Sequence, residues 1–156
     1  MHNMTFGMFM SGLWQNRVLL SAATGWAAAQ VLKTIIHALL EDEWKLERLV
    51  GSGGMPSSHA ATVCALVTAA AYNYGPNSFE FTISFLLAII VLHDARGVRL
   101  ETGKQAEILN EIVKYLRMEE GHTTLPEKEL KELIGHTPVQ VGAGMVIGFI
   151  VGIVLH

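Results

Sequence analysis

Apolar residues gather into four long stretches, 18–40, 59–74, 79–93 and 138–155, each interrupted by few or no charges. A hydrocarbon core of about 30 Å takes roughly 20 apolar residues in a helix. The first and last stretches meet that length, and the middle two approach it once flanking residues are counted. Soluble core helices are the alternative reading. Between 94 and 137 the pattern changes. Ala106, Ile108, Leu109, Ile112, Val113 and Leu116 recur at helical spacing among charged residues, which predicts an amphipathic helix over 104–117. Pro126, followed by alternating Glu and Lys, predicts a second short helix that ends before Gly135. The predicted fold class is therefore all-α: a polytopic membrane helix bundle with about four transmembrane helices and short amphipathic helices in one long loop.

Composition sharpens this picture. A mean hydropathy of +0.37 with only 16% charged residues is unusual for a soluble chain of 156 residues. The expected setting is thus the lipid bilayer, in a multi-pass integral protein. The net charge of -3 gives no basic footprint for nucleic acid. Cys64 is the single cysteine, so neither an intrachain disulfide nor a cysteine metal cluster is available. The first twelve residues lack the basic region of a cleavable signal peptide, and Phe6, Phe9, Trp14 and Trp26 suit an interfacial N-terminal segment. Seven of the eleven Lys and Arg residues fall in the 94–137 loop and none in the 75–78 turn. This asymmetry predicts a cytoplasmic long loop, with the 41–56 connection on the same side and both termini opposite.

On that side the polar groups at the helix ends are Lys33, Arg48, Ser57, Ser58, His59, Asp94, Arg96, Arg99 and His136. The run G-G-M-P-S-S-H-A-A, 53–61, opens the second stretch. Pro56 suits a first helical turn, because it lacks the amide hydrogen that would have no helical partner there. Free amides of Ser57, Ser58 and His59, two hydroxyls and the positive helix end form a candidate anion site, phosphate being the expected anion. The plainer reading is that Ser57 caps the helix and His59 faces solvent. G-H-T-P-V-Q-V-G-A-G, 135–144, opens the fourth stretch with Thr137 as cap and Pro138 as first helical residue. His136 is then held at that rim as His59 is at the other. Phosphoryl transfer through a covalent intermediate needs one nucleophile and one proton donor, and imidazole serves as either. Glu119, Glu120 and His122 are read as solvent-exposed side chains rather than a metal site.

These motifs resemble the superfamily of type 2 phosphatidic acid phosphatases and vanadium-dependent haloperoxidases, and more closely its divergent small membrane branch. P-S-S-H matches the P-S-G-H motif, H-T-P-V-Q-V-G-A-G is similar to the H-x-x-x-D-V-x-x-G element, and H-D-A-R-G-V-R-L-E-T-G-K-Q-A, 93–106, is typical of the branch. The resemblance covers nearly the whole chain and implies one integral-membrane phosphatase-like domain, 1–156. It further implies that His136 attacks phosphorus, that His59 protonates the leaving oxygen and that Ser57 and the Ser58 amide hold phosphate oxygens. No metal or other cofactor is expected.

The chain departs from the family pattern at several positions. Gln140 replaces the aspartate four residues after the nucleophile; it can orient an imidazole but cannot stabilise its cation as a carboxylate would. Asp94 is the candidate substitute, or else pairs with Arg96 or Arg99. The first motif, K-x6-R-P, fails at Leu40, so Lys33 and Arg48 are assigned to phosphate on separate grounds. Lys33 lies inside an apolar helix with His37 one turn later, where a charge faces a polar site or snorkels. Arg96 and Arg99 are candidates for the missing third-motif arginine. Gly144, Gly148 and Gly152 form a smooth face that either packs within the monomer, against 27–29 and Ala61, Ala65 and Ala69, or supports a homodimer. The expected function is hydrolysis of a lipid phosphate or polyprenyl (di)phosphate through a phosphohistidine. The alternative is a non-catalytic membrane protein that keeps the lipid-phosphate pocket for binding, transport or assembly. Vanadate-dependent halide oxidation is a third reading that nothing in the chain selects.

Overall fold

The computed structural model describes residues 5–41, 54–120 and 137–156. Among the described residues every regular element is a helix: α1 (Phe6–Gln15), α2 (Arg17–Glu41), α3 (Ser58–Tyr74), α4 (Phe79–Arg96), α5 (Val98–Glu120) and α6 (Pro138–Leu155). The four apolar stretches correspond to α2, α3, α4 and α6, and the amphipathic stretch to the longer α5. The second loop helix, expected after Pro126, lies outside the described residues.

Side chains are distributed as in a bundle whose solvent is lipid. Ile83, Phe85, Leu86, Leu87, Ile89 and Ile90 of α4, and Val146, Phe149, Ile150, Ile153 and Val154 of α6, are exposed. The interior is made of alanine, glycine and short polar residues, and the largest fully enclosed side chains are Ser21 and Ser57. Water would not tolerate so large an apolar surface on a monomer, whereas hydrocarbon does. Among the described residues three helical stretches are long and apolar enough to cross a membrane: Arg17–Leu39, Phe79–Leu116, which takes in α4 and most of α5, and Pro138–Leu155. The expectation of about four rested on adding α3. At 17 residues, about 25 Å of helix, α3 is the inner element, packed against α2, α4 and α6.

Small residues let α3 sit that close to its neighbours. A Cβ on Gly144 would collide with the Ser57 carbonyl oxygen, one on Gly148 with the Ala61 carbonyl oxygen, and one on Gly152 would lie 2.9 Å from Thr68 Cγ2. Both series advance together, so α6 runs parallel to α3. On the opposite flank, a Cβ on Gly25 of α2 would lie 2.9 Å from Ala65 Cβ, and α2 runs antiparallel. The glycine face is therefore packed against α3 of the same chain. Of the three alanines 27–29, Ala29 faces the interior. Gly75 turns the chain out of α3 at φ 83°, a region open to glycine without strain, and Ser78 caps α4 by accepting from the Phe81 amide.

Candidate functional site at the paired helix starts

Parallel packing of α3 and α6 brings their N-termini to one end of the bundle. The Ser57 amide donates to the Gln140 carbonyl at 2.9 Å, a backbone clasp between two helices 83 positions apart in the chain. Directly beneath it, Ala60 of α3, Ala95 of α4 and Val141 of α6 form a buried apolar knot, with Leu92 and Met145 against it. The C-terminal end of α4 is thereby held at the same place, and Asp94 and Arg96 flank the knot. Asp94 is half-buried and Arg96 exposed.

Each start is capped locally. Ser57 is the N-cap of α3 and its Oγ accepts from the Ala60 amide at 3.4 Å. Pro56 therefore precedes the cap instead of opening the helix, two positions before the first helical residue, Ser58. Thr137 caps α6 in a reciprocal box: its Oγ1 accepts from the Gln140 amide and Gln140 Oε1 accepts from the Thr137 amide at 3.0 Å. Pro138 stands in the first turn as expected. Gln140 thus has two structural tasks that the site assignment did not include, one through its side chain and one through its carbonyl. The T-x-x-Q spacing was the signal for the first; no sequence signal marks the second.

These bonds redistribute the expected anion donors. Ser57 is fully enclosed, its amide is engaged by Gln140 and its hydroxyl caps α3. It fixes the geometry of the mouth, and the expectation of a free Ser57 amide gives way to this clasp. The amides of Ser58 and His59 belong to the first turn of α3, where no carbonyl of the same helix precedes them. Ser58 is buried and His59 half-buried, with its Nδ1 shielded from solvent.

Lys33 completes the arrangement from α2. Only 3% of it is exposed, and its stem lies against Gly54, where an added Cβ would sit 3.5 Å from both Cγ and Cδ. Gly54 holds φ 86°, a left-handed conformation that L-residues rarely adopt; it lets the segment before Ser57 pass close to the lysine. Gln30, Thr34 and His37 lie on the neighbouring turns of α2, with Thr34 Oγ1 bonded back to the Gln30 carbonyl at 2.9 Å. Gln30 and Thr34 are buried and His37 is half-buried, so α2 turns a polar face inward at this level of the bundle. Arg99 belongs to the first turn of α5, but its side chain, together with Arg48 and His136, lies outside the described residues. In the sequence His136 immediately precedes Thr137, the cap of α6. Among the described residues no group of three His, Cys, Asp or Glu forms a metal cluster.

An apolar outer surface, an interior of small residues and two clasped helix starts define a small helical membrane protein. A family model described as the Divergent PAP2 family matches residues 14–151, and the chain belongs to that family. It is 36% identical over 151 residues to the uncharacterized membrane protein YuiD of Bacillus subtilis (strain 168), an alignment that covers 92% of this chain and 96% of that protein. No solved structure matches it.

Proposed function

We propose that the clasped mouth binds the phosphate of a membrane lipid, a glycerolipid phosphate or a polyprenyl (di)phosphate, and hydrolyses its ester through a phosphohistidine. The observation that carries this reading is the Ser57–Gln140 hydrogen bond, which sets two helix N-termini side by side with Lys33 next to them. Each N-terminus is equivalent to roughly half a positive charge, and a buried ammonium adds a full one. Three cationic features around one point suit a phosphoryl group.

In this reading His136 attacks phosphorus in line with the leaving oxygen. The P–O bond breaks as a proton passes from His59 to that oxygen, releasing the lipid alcohol from a monophosphate or the lipid monophosphate from a diphosphate. A water, deprotonated by His59, then attacks the phosphohistidine and releases inorganic phosphate. Lys33 and the first-turn amides of α3 carry the charge that develops on the equatorial oxygens, with Arg48, Arg96 and Arg99 as the guanidinium candidates and Asp94 as the imidazole partner. The Lys and Arg bias of the long loop supports a cytoplasmic mouth.

The decisive experiment assays purified protein in detergent against a panel of lipid phosphates beside His136→Ala and His59→Ala. Phosphate release by the wild type and loss in both variants is the expected result; equal release by all three would mean a contaminant and reject the enzyme. One observation favours the second reading, a lipid-phosphate binding protein without turnover. Gln140 stands where the superfamily motif that the chain resembles has an aspartate, and its Oε1 is already engaged by the Thr137 amide. Saturable lipid-phosphate binding with no release of phosphate would select it.

A further inference from the structure

Helix α1 stands apart from the mouth, at the opposite end of α2. It spans ten residues, F-G-M-F-M-S-G-L-W-Q, with none buried and no acidic or basic residue. Phe6, Met8, Phe9 and Trp14 are exposed, Phe6 at 79% and Trp14 at 71%. Ten residues make about 15 Å of helix, half of what a hydrocarbon core of about 30 Å needs, so α1 cannot cross by itself. Nor does it extend α2. Asn16 lies between the two helices in extended conformation, at φ -77° and ψ 92°, and its Oδ1 accepts from the Leu19 amide at 3.0 Å. The helical ladder therefore stops and restarts at Asn16, with Arg17 as the first residue of the spanning helix.

We propose that α1 lies in the membrane–water interface as an in-plane anchor whose partner is the lipid surface at the end opposite the mouth. Three observations select lipid over a second copy of the chain. The apolar surface of α1 continues, through one non-helical residue, into the exposed apolar surface of α2 at Leu19 and Trp26, so both meet the same medium. Arg17 marks the polar edge at which α2 begins. Trp14 sits next to that edge, where indole rings collect at headgroup level, while Phe6, Met8 and Phe9 offer apolar side chains to the acyl region. Such a helix would hold the bundle at a fixed depth.

Spin labels on Gly7→Cys and Ser11→Cys, one helical turn apart on one face, test this in reconstituted phosphatidylcholine vesicles. A Cβ at Gly7 meets nothing within 4 Å and Ser11 is exposed, so neither label disturbs packing. The native Cys64 is buried and does not compete for label. Depth is read from the relative accessibility of each label to oxygen and to a water-soluble nickel complex. The expected result is equal, shallow depth at both positions, unchanged on dilution with lipid. Depths that differ by about 6 Å, one turn of rise, would mean that α1 points along the bilayer normal and overturn the proposal. Full access to the nickel complex would place it in water, and spin–spin broadening that persists on dilution would identify a second copy as its partner. Trp14 fluorescence in a Trp26→Phe, Trp44→Phe background gives an unlabelled check: lipids brominated near the headgroup should quench it more than lipids brominated at the chain end, and the reverse order overturns the proposal.

Discussion

Lys33 is enclosed in the middle of an apolar helix, its stem against a glycine that no other residue could replace without strain. The stem therefore runs beside the segment that leads into α3, and the proposed site takes its ammonium as a phosphate ligand. Lys33→Met should therefore weaken orthovanadate or phosphate binding roughly tenfold to a hundredfold, the equivalent of about 1.5–3 kcal/mol for a charged hydrogen bond, while the helical circular dichroism stays unchanged. Isothermal titration in detergent reads the first and the spectrum the second; unaltered affinity would remove Lys33 from the site. Neighbouring serines separate by role. Ser57→Ala removes the α3 cap and should lower stability by about 1 kcal/mol, seen as a reduced melting temperature. Ser58→Ala removes no cap and should leave melting nearly unchanged.

Helix packing makes an equally sharp contrast. At Gly148 a new Cβ would meet the Ala61 carbonyl oxygen and lie 2.7 Å from Cys64 Cβ, whereas at Gly142 it would meet nothing within 4 Å. Gly148→Ala should cost about 1–3 kcal/mol through overpacking. Gly142→Ala should be neutral or stabilising by up to about 1 kcal/mol, since alanine is the better helix former. Thermal unfolding of both variants in one detergent checks the pair. Hydrophobic runs were sufficient to outline α2, α3, α4 and α6, because a helix in lipid is apolar nearly all round and charges mark its ends. They did not reveal which helix is inner. Gly144, Gly148 and Gly152 announce a close approach in sequence, and Ala61 and Ala65, named among their possible partners, do meet that face; Gly25 drew no notice because a single glycine among alanines has no period. Pro56 was placed in the first turn, two positions too far into the helix, whereas the plainer reading of Ser57 as the cap holds, and contact with α6 is what encloses it.

For the whole molecule, the two histidine-bearing motifs were legible as helix openings, and the parallel course of α3 and α6 accounts for their meeting at one end. The Ser57–Gln140 bond was not legible, since a backbone carbonyl carries no side-chain signature. The predicted orientation puts this end in the cytoplasm. A cysteine replacing Ser52 should then be labelled only after the membrane is opened, and one replacing Asn77, exposed in the α3–α4 turn, from outside in intact cells; the opposite pattern reverses the topology.

That bond has one more implication. By tying two like electrical poles together at the rim, it builds local repulsion into the fold, and a counter-ion seated between them would relieve it. Occupancy and unfolding are then linked: an anion at a hundredfold excess over its Kd adds about 2.7 kcal/mol of stability. Orthovanadate without any added lipid should raise the melting temperature beyond what chloride of equal ionic strength does, and the protein's own heat resistance would become the gauge of what fills its mouth.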